Sequence, residues 1–322
     1  MMKRIAVLTS GGDAPGMNAC IRAIVRTGLF HGLQVIGIEE GFDGLLRGDM
    51  NELSARDVGG ILQRGGTILK TARCPEFLEE KRRLHGLREL NERNIGGVVV
   101  IGGDGSMKGG HELAKMGMAV MGVPASIDND VWGTEMSLGV DTALNTIKEA
   151  VDKLRDTASS HQRVFLIETM GRKCGYLALM AGIICGAELI LIPEREISLE
   201  EIAKTVMDAY ARGKAHAIII VAEGATLKMR DVAAYLDTQQ VGFTTRVTTL
   251  GHVQRGGSPS AFDRMLATRM GVKAVEMLLQ GESDKLLALE KAEIITMPLE
   301  KVVSRTKQAN VDYFEMARVL AR

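Results

Sequence analysis

The segment PASIDNDVWGT (124–134) carries a dense group of polar side chains that could do chemistry. Ser126, Asp128, Asn129 and Asp130 follow directly after the apolar run 119–123. Asp and Asn also close local turns through side-chain to backbone hydrogen bonds, so a simple surface turn is one interpretation. In phosphoryl transfer to a hydroxyl, one Asp accepts the proton while other carboxylates face Mg²⁺. The segment thus supplies a candidate base, a hydroxyl and a metal ligand.

Two Gly-Gly-Asp turns are candidate anion sites. Gly11–Asp13 and Gly102–Asp104 each follow an apolar run and precede a helical pattern. In open α/β sheets, ligands bind at the carboxyl ends of strands, where a following helix offers N–H groups. The first turn has Gly-x-x-x-x-Gly spacing, but Met17 and Asn18 replace the Lys and Ser or Thr of a Walker loop. Neither turn has Gly-x-Gly-x-x-Gly, so ordinary strand-to-helix turns remain the alternative.

Basic residues beside several glycines are candidate phosphate ligands. Arginine binds phosphate through two parallel hydrogen bonds, which suits a phosphorylated donor and acceptor. For any single arginine, a solvated surface position or an ion pair with Glu is the favoured explanation. The segment GHVQRGGSP (251–259), with His252 and Arg255 before two glycines, favours the phosphate interpretation.

The composition is typical of a globular protein with no large net charge. The 322 residues are 46% hydrophobic and 25% charged, enough for a large core and roughly two domains. Forty Lys and Arg balance forty Asp and Glu, which argues against nucleic-acid or membrane binding. The chain has no apolar run that could span a bilayer and no signal peptide, so we expect a cytoplasmic protein. Four scattered cysteines indicate reduced thiols.

Short apolar runs alternate with helical patterns along the chain. The predicted strands are 4–9, 34–39, 97–101, 119–124, 164–168, 189–192 and 217–222. Several are continuously apolar, as strands covered by helices on both faces tend to be. This alternation predicts α/β layers with mostly parallel sheets. Residues 299–322 are predicted to form an amphipathic helix on the smaller domain.

These motifs together resemble the bacterial ATP-dependent 6-phosphofructokinases. The shared segments, from Lys3 to about Gly281, include LTSGGDAPGMNA, RGGT, TARCPEF, VVIGGDGS, IDND, DTALNT, RDTASSH, MGR, VAEG and LGHVQRGGSP. The resemblance implies transfer of the ATP γ-phosphate to O1 of fructose 6-phosphate in glycolysis, with Mg²⁺, by a homotetramer. It also implies two three-layer αβα sandwich domains. The larger, nucleotide-binding domain would hold residues 1–138 and 252–304; the smaller, sugar-phosphate-binding domain would hold 139–251 and 305–322.

The resemblance also implies roles for individual residues. ATP would bind at Gly12, Arg73, Gly103, Asp104, Gly105 and Ser106, and Mg²⁺ at Asp104 and Asp130. Asp128 would be the general base, with Ser126, Arg73 and Arg172 also catalytic. Fructose 6-phosphate would contact Ser126, Asp128, Asp130, Met170, Gly171, Arg172 and Glu223, with Arg163, Arg246, His252 and Arg255 around its 6-phosphate. Arg163 and Arg246 would reach in from a neighbouring subunit.

Regulation and donor choice follow from the same resemblance. An effector site for ADP or phosphoenolpyruvate would use Arg22, Arg26, Arg155, Glu188, Arg212 and Lys214. Ala215 replaces a usual Lys there, which predicts a weakened response. Gly105 and Ala125 stand where pyrophosphate-using relatives carry Asp and Lys, which favours ATP. Because Ser126 and Tyr176 also depart from the family pattern, the alternative is a weakly active paralogue that acts as a sugar-phosphate- and nucleotide-binding regulatory subunit.

Overall fold

The computed structural model describes residues 2–320, which divide into two compact units. Unit 1 comprises the chain up to Thr142 together with Arg255–Lys307, and unit 2 comprises Ala143–Gln254 and the chain from Gln308 onward.

The strands are β1 (Arg4–Ser10), β2 (Gln34–Ile38), β3 (Met50–Glu52), β4 (Gly97–Gly102), β5 (Ala119–Pro124), β6 (Arg163–Thr169), β7 (Leu189–Leu191), β8 (Ala217–Ala222), β9 (Thr244–Thr249), β10 (Lys285–Glu290) and β11 (Glu293–Pro298).

Helices alternate with these strands over most of the chain. The α-helices are α1 (Met17–Phe30), α2 (Gly41–Arg47), α3 (Glu80–Glu92), α4 (Asp104–Lys115), α5 (Val140–His161), α6 (Tyr176–Ile184), α7 (Leu199–Ala211), α8 (Met229–Thr238), α9 (Ala261–Leu279), α10 (Leu299–Val303) and α11 (Val311–Leu320). Among residues 2–320, the helices include none that is both long and apolar enough to cross a membrane.

The sheet of unit 1 places three important strand ends side by side. Its order is β11-β10-β5-β4-β1-β2-β3, with parallel pairing from β10 through β2 and antiparallel strands at both edges. The register aligns Ser10 with Gly102 and Gly102 with Pro124. The turns that follow β1, β4 and β5 therefore leave the sheet at the same edge.

Helices cover both faces of the unit 1 sheet. On one face, Val98 and Val100 belong to a buried cluster with the apolar residues of α2, α3 and α4. On the other face, α1 packs on the sheet near Ile5, and α9 crosses α1 very closely. A Cβ added at Gly271 of α9 would lie 2.7 Å from the Cβ of Ala23 in α1, so this crossing requires glycine. Unit 1 is therefore a three-layer αβα sandwich.

Unit 2 has a smaller, fully parallel sheet of order β7-β8-β6-β9. One face is covered by α7 and α8, whose residues Val206, Val232 and Leu236 pack in a cluster with Ile219 and Val221. On the other side lies α6, which packs on β7 and β8 and is contacted in turn by α11. Strand β9 forms one edge of this sheet, opposite β7, and alternates buried and exposed residues only weakly.

The strands predicted from the sequence are all present, and the α/β fold with mostly parallel sheets is confirmed. The prediction of one helix over residues 299–322 is wrong. After α10, the backbone of 304–310 forms other bonds: the Ala309 N–H donates to Glu194 Oε1 at 2.9 Å. The Asn310 side chain then accepts from the Asp312 N–H at 3.0 Å and helps to start a new helix, α11. Residues 321 and 322 lie outside the described part of the chain.

Candidate functional site

The first glycine turn of unit 1 lies next to the segment that carries Arg73. The Gly11 N–H donates to the Ala72 carbonyl at 3.3 Å, and Thr71 Oγ1 donates to the Gly11 carbonyl at 3.0 Å. Gly11 has a φ of +89°, a conformation that glycine adopts without strain. Arg73, one residue after Ala72, is exposed. Arg73, which is predicted to act on the transferring phosphate, therefore follows directly after Ala72, which bonds to the Gly11–Asp13 turn.

Arg255 also lies against this first turn. Its Nη1 donates to the Asp13 carbonyl at 3.0 Å. A Cβ added at Gly12 would stand 2.3 Å from that same nitrogen, so the close approach depends on glycine. Both residues belong to unit 1, where the guanidinium adds positive charge at the carboxyl end of β1.

The second glycine turn is tied to the first. Gly103 is the N-cap residue of α4, and Ser106 Oγ in the first turn of that helix donates to the Ser10 carbonyl at 2.9 Å. A Cβ at Gly102 would lie 2.4 Å from Ser106 Oγ, so only glycine leaves room for this hydroxyl. The free backbone N–H groups at a helix N-terminus favour the binding of an anion at the turn before the helix. Asp104 Oδ2 pairs with Lys108 Nζ at 2.7 Å.

The third segment, Ser126–Asp130, joins the same edge. A Cβ at Gly103 would lie 3.7 Å from the Ser126 Cβ, which places the end of β4 in contact with the residue two positions after β5. Ser126 Oγ donates to Asp130 Oδ1 at 2.8 Å, and Asp128 is half-buried. Three segments with predicted phosphate or catalytic residues therefore meet at the carboxyl ends of β1, β4 and β5.

The donor set at this edge fits Mg²⁺ better than a metal held by protein alone. Asp104 and Asp130 are both partly exposed and follow adjacent parallel strands. Within residues 2–320 there is no cluster of three or more His, Cys, Asp or Glu side chains that could hold a metal ion. Mg²⁺ commonly uses one or two carboxylates and completes its shell with substrate phosphates and water.

Asp263, a fully buried carboxylate on α9, fixes the start of α5. Its Oδ1 accepts from the Gly139 N–H at 2.9 Å, and its Oδ2 accepts from the Thr142 N–H at 2.9 Å and the Thr142 hydroxyl at 2.5 Å. Ser260, the N-cap of α9, donates through Oγ to Asp141 Oδ2 at 2.5 Å. Burial raises the pKa of Asp263, while the bonds from Thr142 and Gly139 act in the opposite direction. The two helix starts therefore cap each other.

In unit 2, the predicted sugar-binding residues gather at the ends of β6 and β8. Arg172 Nε contacts Glu223 Oε1 at 3.3 Å. Gly171 has a φ of +122°, and a Cβ there would lie 2.6 Å from the Cys174 carbonyl oxygen. The Met170 N–H donates to Oε1 of Gln254, which is fully buried. Met170, Gly171, Arg172 and Glu223 are thus brought together.

The remaining predicted sugar-phosphate residues of unit 2 lie at the start of β6, on the edge strand β9 and on the turn that follows β9. Arg163 begins β6, and Arg246 is exposed on β9, where it aligns with Phe165 of β6. His252 is exposed on the 3₁₀ turn Gly251–Arg255. Gln254 Nε2 donates to the Gly251 carbonyl at 2.9 Å and so braces this turn from its buried side.

The predicted effector residues fall in both units. Arg22 and Arg26 lie on α1 in unit 1, and the others belong to unit 2. There, Lys214 Nζ pairs with Glu188 Oε1 at 3.1 Å, and Arg155 donates to the Cys185 carbonyl.

A cavity of about 240 Å³ in unit 2 involves part of this effector set. Glu188 and Arg212 line it together with residues of α7 and with Phe314 and Arg318 of α11.

Sequence reasoning missed the residues that hold the site in place. Gln254, Asp263 and Asn129 are buried and bond to backbone groups, some of them far away in the sequence. Gln254 and Asp263 stand in or just after GHVQRGGSP, and Asn129 lies inside SIDND, so each stood next to a predicted site residue. Their partners, however, follow only from the folded chain.

Comparison with known proteins identifies the family. The chain matches the phosphofructokinase family over residues 4–278. It is 50% identical over 321 residues to the ATP-dependent 6-phosphofructokinase of Thermotoga neapolitana, and the alignment covers 99% of this chain and 100% of that protein. The enzyme of the same name from Clostridium novyi is 49% identical over 326 residues, with coverage of 99% and 100%.

Solved structures agree with this match. The phosphofructokinase of Pichia pastoris in the T-state superposes with a TM-score of 0.91 at 40% identity. That alignment covers 94% of this chain but 36% of the yeast chain, so this protein spans about a third of it. A pyrophosphate-dependent phosphofructokinase from Marinobacter aquaeolei, with a TM-score of 0.86, 22% identity and coverage of 97% and 86%, shares the fold. The chain belongs to the phosphofructokinase family.

Proposed function

We propose that this protein is an ATP-dependent 6-phosphofructokinase, which transfers the γ-phosphoryl group of ATP to O1 of fructose 6-phosphate and forms fructose 1,6-bisphosphate. The observation that carries this proposal is the meeting of three segments at one sheet edge of unit 1: the Gly11–Asp13 turn, the Gly103–Ser106 turn and Ser126–Asp130. Relatives that are about 50% identical in sequence over their full length support the same activity.

In this proposal, unit 1 binds ATP and carries the proton acceptor. The ATP phosphates lie against Gly12, Arg73, Gly103, Asp104, Gly105 and Ser106. Backbone N–H groups at the start of α4 and the Arg73 guanidinium stabilise negative charge on the transferring group. Asp128 accepts the proton of the sugar hydroxyl, which makes that oxygen a better nucleophile. The Ser126 hydroxyl, which donates to Asp130 in the structure, donates to the phosphoryl group.

Asp104 and Asp130 would hold the Mg²⁺ that accompanies ATP. Bound there, the ion would neutralise phosphate oxygens that these carboxylates would otherwise repel. Lys108 pairs with Asp104 in the chain alone and offsets part of its charge.

The sugar phosphate is recognised mainly by residues of unit 2. Met170, Gly171, Arg172 and Glu223 surround the sugar, since the ends of β6 and β8 bring these residues together. Arg163, Arg246 and His252, with Arg255 of unit 1, bind the 6-phosphate. We place Arg163 and Arg246 in the site of a neighbouring subunit, in a homotetramer. Arg246 lies exposed on the outer strand of its sheet, which suits such a role.

ATP rather than pyrophosphate is the proposed donor. A Cβ added at Gly105 would have no atom from outside its own stretch of α4 within 4 Å in the described chain, so the open space beside this residue is available to the nucleotide. An Asp at this position would occupy that space and repel the phosphates. ADP or phosphoenolpyruvate would act as effectors at Arg22, Arg26, Arg155, Glu188, Arg212 and Lys214.

A coupled assay tests the proposal. Purified protein is incubated with Mg²⁺, fructose 6-phosphate and either ATP or pyrophosphate, and fructose 1,6-bisphosphate formation is followed; tagatose 6-phosphate serves as an alternative acceptor. We expect rapid product formation with ATP and fructose 6-phosphate and little with pyrophosphate. Binding of both ligands without turnover would instead support the regulatory-subunit alternative, which the full-length enzyme relatives do not favour.

A further inference from the structure

The segment that carries the proposed base is closed by one buried amide. Asn129 stands between Asp128 and Asp130, is fully buried and has a φ of +52°. Its Nδ2 donates to the Glu135 carbonyl at 2.9 Å, and its Oδ1 accepts from the Ser137 N–H at 3.0 Å. Asn tolerates the left-handed conformation better than most residues, but the backbone direction there still depends on what holds the amide. The position of the Glu135 carbonyl therefore affects both neighbouring aspartates.

Lys307 also binds that carbonyl. Its Nζ donates to the Glu135 carbonyl at 2.9 Å and to the Thr134 carbonyl at 2.7 Å. Hydrogen bonds from an ionised donor are shorter and stronger than those between neutral groups. The Glu135 carbonyl oxygen thus accepts from both the Asn129 amide and the Lys307 ammonium, which links the two side chains through a single atom.

A second contact comes from the same stretch of chain. The guanidinium of Arg305 lies 4.4 Å from the ring centroid of Trp132, in a cation–π arrangement. Arg305 and Lys307 both follow residue 278, where the match to the family ends, and both belong to unit 1. The stretch Arg305–Lys307 therefore contacts the loop near both Trp132 and Glu135.

The loop is also fastened to the β10–β11 hairpin. The Glu135 N–H donates to the Leu289 carbonyl at 2.9 Å, and the Leu289 N–H donates to Thr134 Oγ1 at 3.0 Å. The Lys291 N–H donates to Glu135 Oε1 at 3.2 Å. Because these bonds remain when the Lys307 ammonium is removed, we expect its loss to loosen the segment without unfolding unit 1.

We propose that Lys307 is a positioning residue for phosphoryl transfer, which acts through the Glu135 carbonyl and Asn129 to orient Asp128 and Asp130. Arg305 supports it through Trp132. The inference rests on the proposed function, since it assumes that Asp128 is the base. A misplacement of about 1 Å can lower a catalysed rate by roughly a hundredfold. A partial loosening should cost less, and it should affect turnover more than sugar binding because the sugar phosphate is recognised mainly by residues of unit 2.

The test is a steady-state comparison of Lys307→Met with Lys307→Arg. Methionine keeps the apolar stem and removes the ammonium, so we expect kcat to fall about tenfold while KM for fructose 6-phosphate stays within about twofold. Arginine keeps the charge and the donors and should restore most of the rate. The matched control is Lys301→Met, an exposed lysine of α10 in the same C-terminal stretch, which should leave kcat unchanged.

A purely structural role predicts a different pattern: a lower unfolding temperature with unchanged kcat for the folded enzyme. Arg305→Gln is the second variant, because it alters an exposed residue and should lower kcat in the same direction by a smaller factor. The inference is overturned if Lys307→Met keeps the kcat of the unaltered protein, or if arginine fails to restore the rate. If the unaltered protein does not phosphorylate fructose 6-phosphate, the proposed function fails and this inference with it; an active protein with an unaffected Lys307→Met variant refutes the inference alone.

Discussion

Arg255 shows how the environment of one side chain depends on residues far away in the sequence. Its place in GHVQRGGSP predicts a phosphate ligand, and that role stays a prediction. The structure adds that the guanidinium donates to the Asp13 carbonyl and approaches Gly12 so closely that a methyl group would not fit. The motif predicts a phosphate-binding arginine at this position, whereas its contacts with Asp13 and Gly12 follow only from the packing of unit 1.

The same limit applies to the residues that hold the site. Asp128 and Asp130 could be proposed from the sequence because carboxylates are unusual in a short polar run directly after a buried strand, and Arg172 because of the MGR motif. Asn129 and Asp263 could not, because Asn and Asp form turns and caps in most proteins. Only their burial and their bonds to distant backbone groups set them apart.

His216 allows a prediction about pH. Burial lowers its pKa, and Nδ1 lies 2.9 Å from Ser159 Oγ. The folded protein therefore binds this proton more weakly than the unfolded chain. Stability should fall as the pH drops below about 6.5, the value for an unfolded His, and should stop falling below the lowered folded pKa.

Urea unfolding between pH 7.5 and 5 measures this effect. The His216→Asn variant should show a smaller loss of unfolding free energy over that range than the unaltered protein. Identical slopes for the two proteins would refute the assignment.

Among the secondary structure elements, β1, β2 and β4–β8 were predictable from the sequence, whereas β3, β9 and the β10–β11 hairpin were not. β4 and β5 are almost continuous apolar runs, which few other structures explain. β9 reads TTRVTT, with too little apolar alternation to indicate a strand. The β10–β11 hairpin turns at Lys291 and Ala292, both at positive φ, where Asn-Gly would have given the usual signal.

The crossing of α1 and α9 gives a prediction about packing. Gly271→Ala would place a methyl group 2.7 Å from the Ala23 Cβ and 2.8 Å from the Cys20 carbonyl oxygen. Because the second of these atoms is backbone, the helices must move apart, and we expect a loss of about 1–3 kcal/mol in unfolding free energy. Thermal and urea unfolding without nucleotide measure it.

Gly105→Ala is the matched control, since it makes the same change in a helix with open space at the Cβ position. It should leave stability unchanged or raise it slightly, because Ala has the higher helix propensity. Equal losses in the two variants would contradict the role given to the α1–α9 crossing.

For the whole molecule, the central proposal is that the site is completed in an assembly of chains. We expect a particle of about four times the 34.8 kDa chain in light scattering. Arg246→Ala should raise KM for fructose 6-phosphate by roughly ten- to a hundredfold, the value of a charge-assisted bond to phosphate. It should do so without lowering the stability of the chain, since Arg246 is exposed and its guanidinium donates to the neighbouring Thr245 carbonyl.

Subunit mixing tests whether Arg246 serves a neighbouring chain. We expect the Asp128→Ala and Arg246→Ala proteins each to be nearly inactive at low sugar concentration. After subunit exchange, some sites would combine an intact Asp128 with an intact Arg246 from another chain, so activity should return. Exchange without any regain would show that both residues serve a site within one chain.

The most direct test of the whole account is the turnover of Asp128→Asn with ATP, Mg²⁺ and fructose 6-phosphate. Asparagine keeps the size of the side chain but accepts no proton, so kcat should fall at least about a hundredfold. KM for the sugar phosphate and the unfolding temperature should change little. A variant that turns over at nearly the rate of the unaltered protein would contradict the assignment of Asp128 as the base.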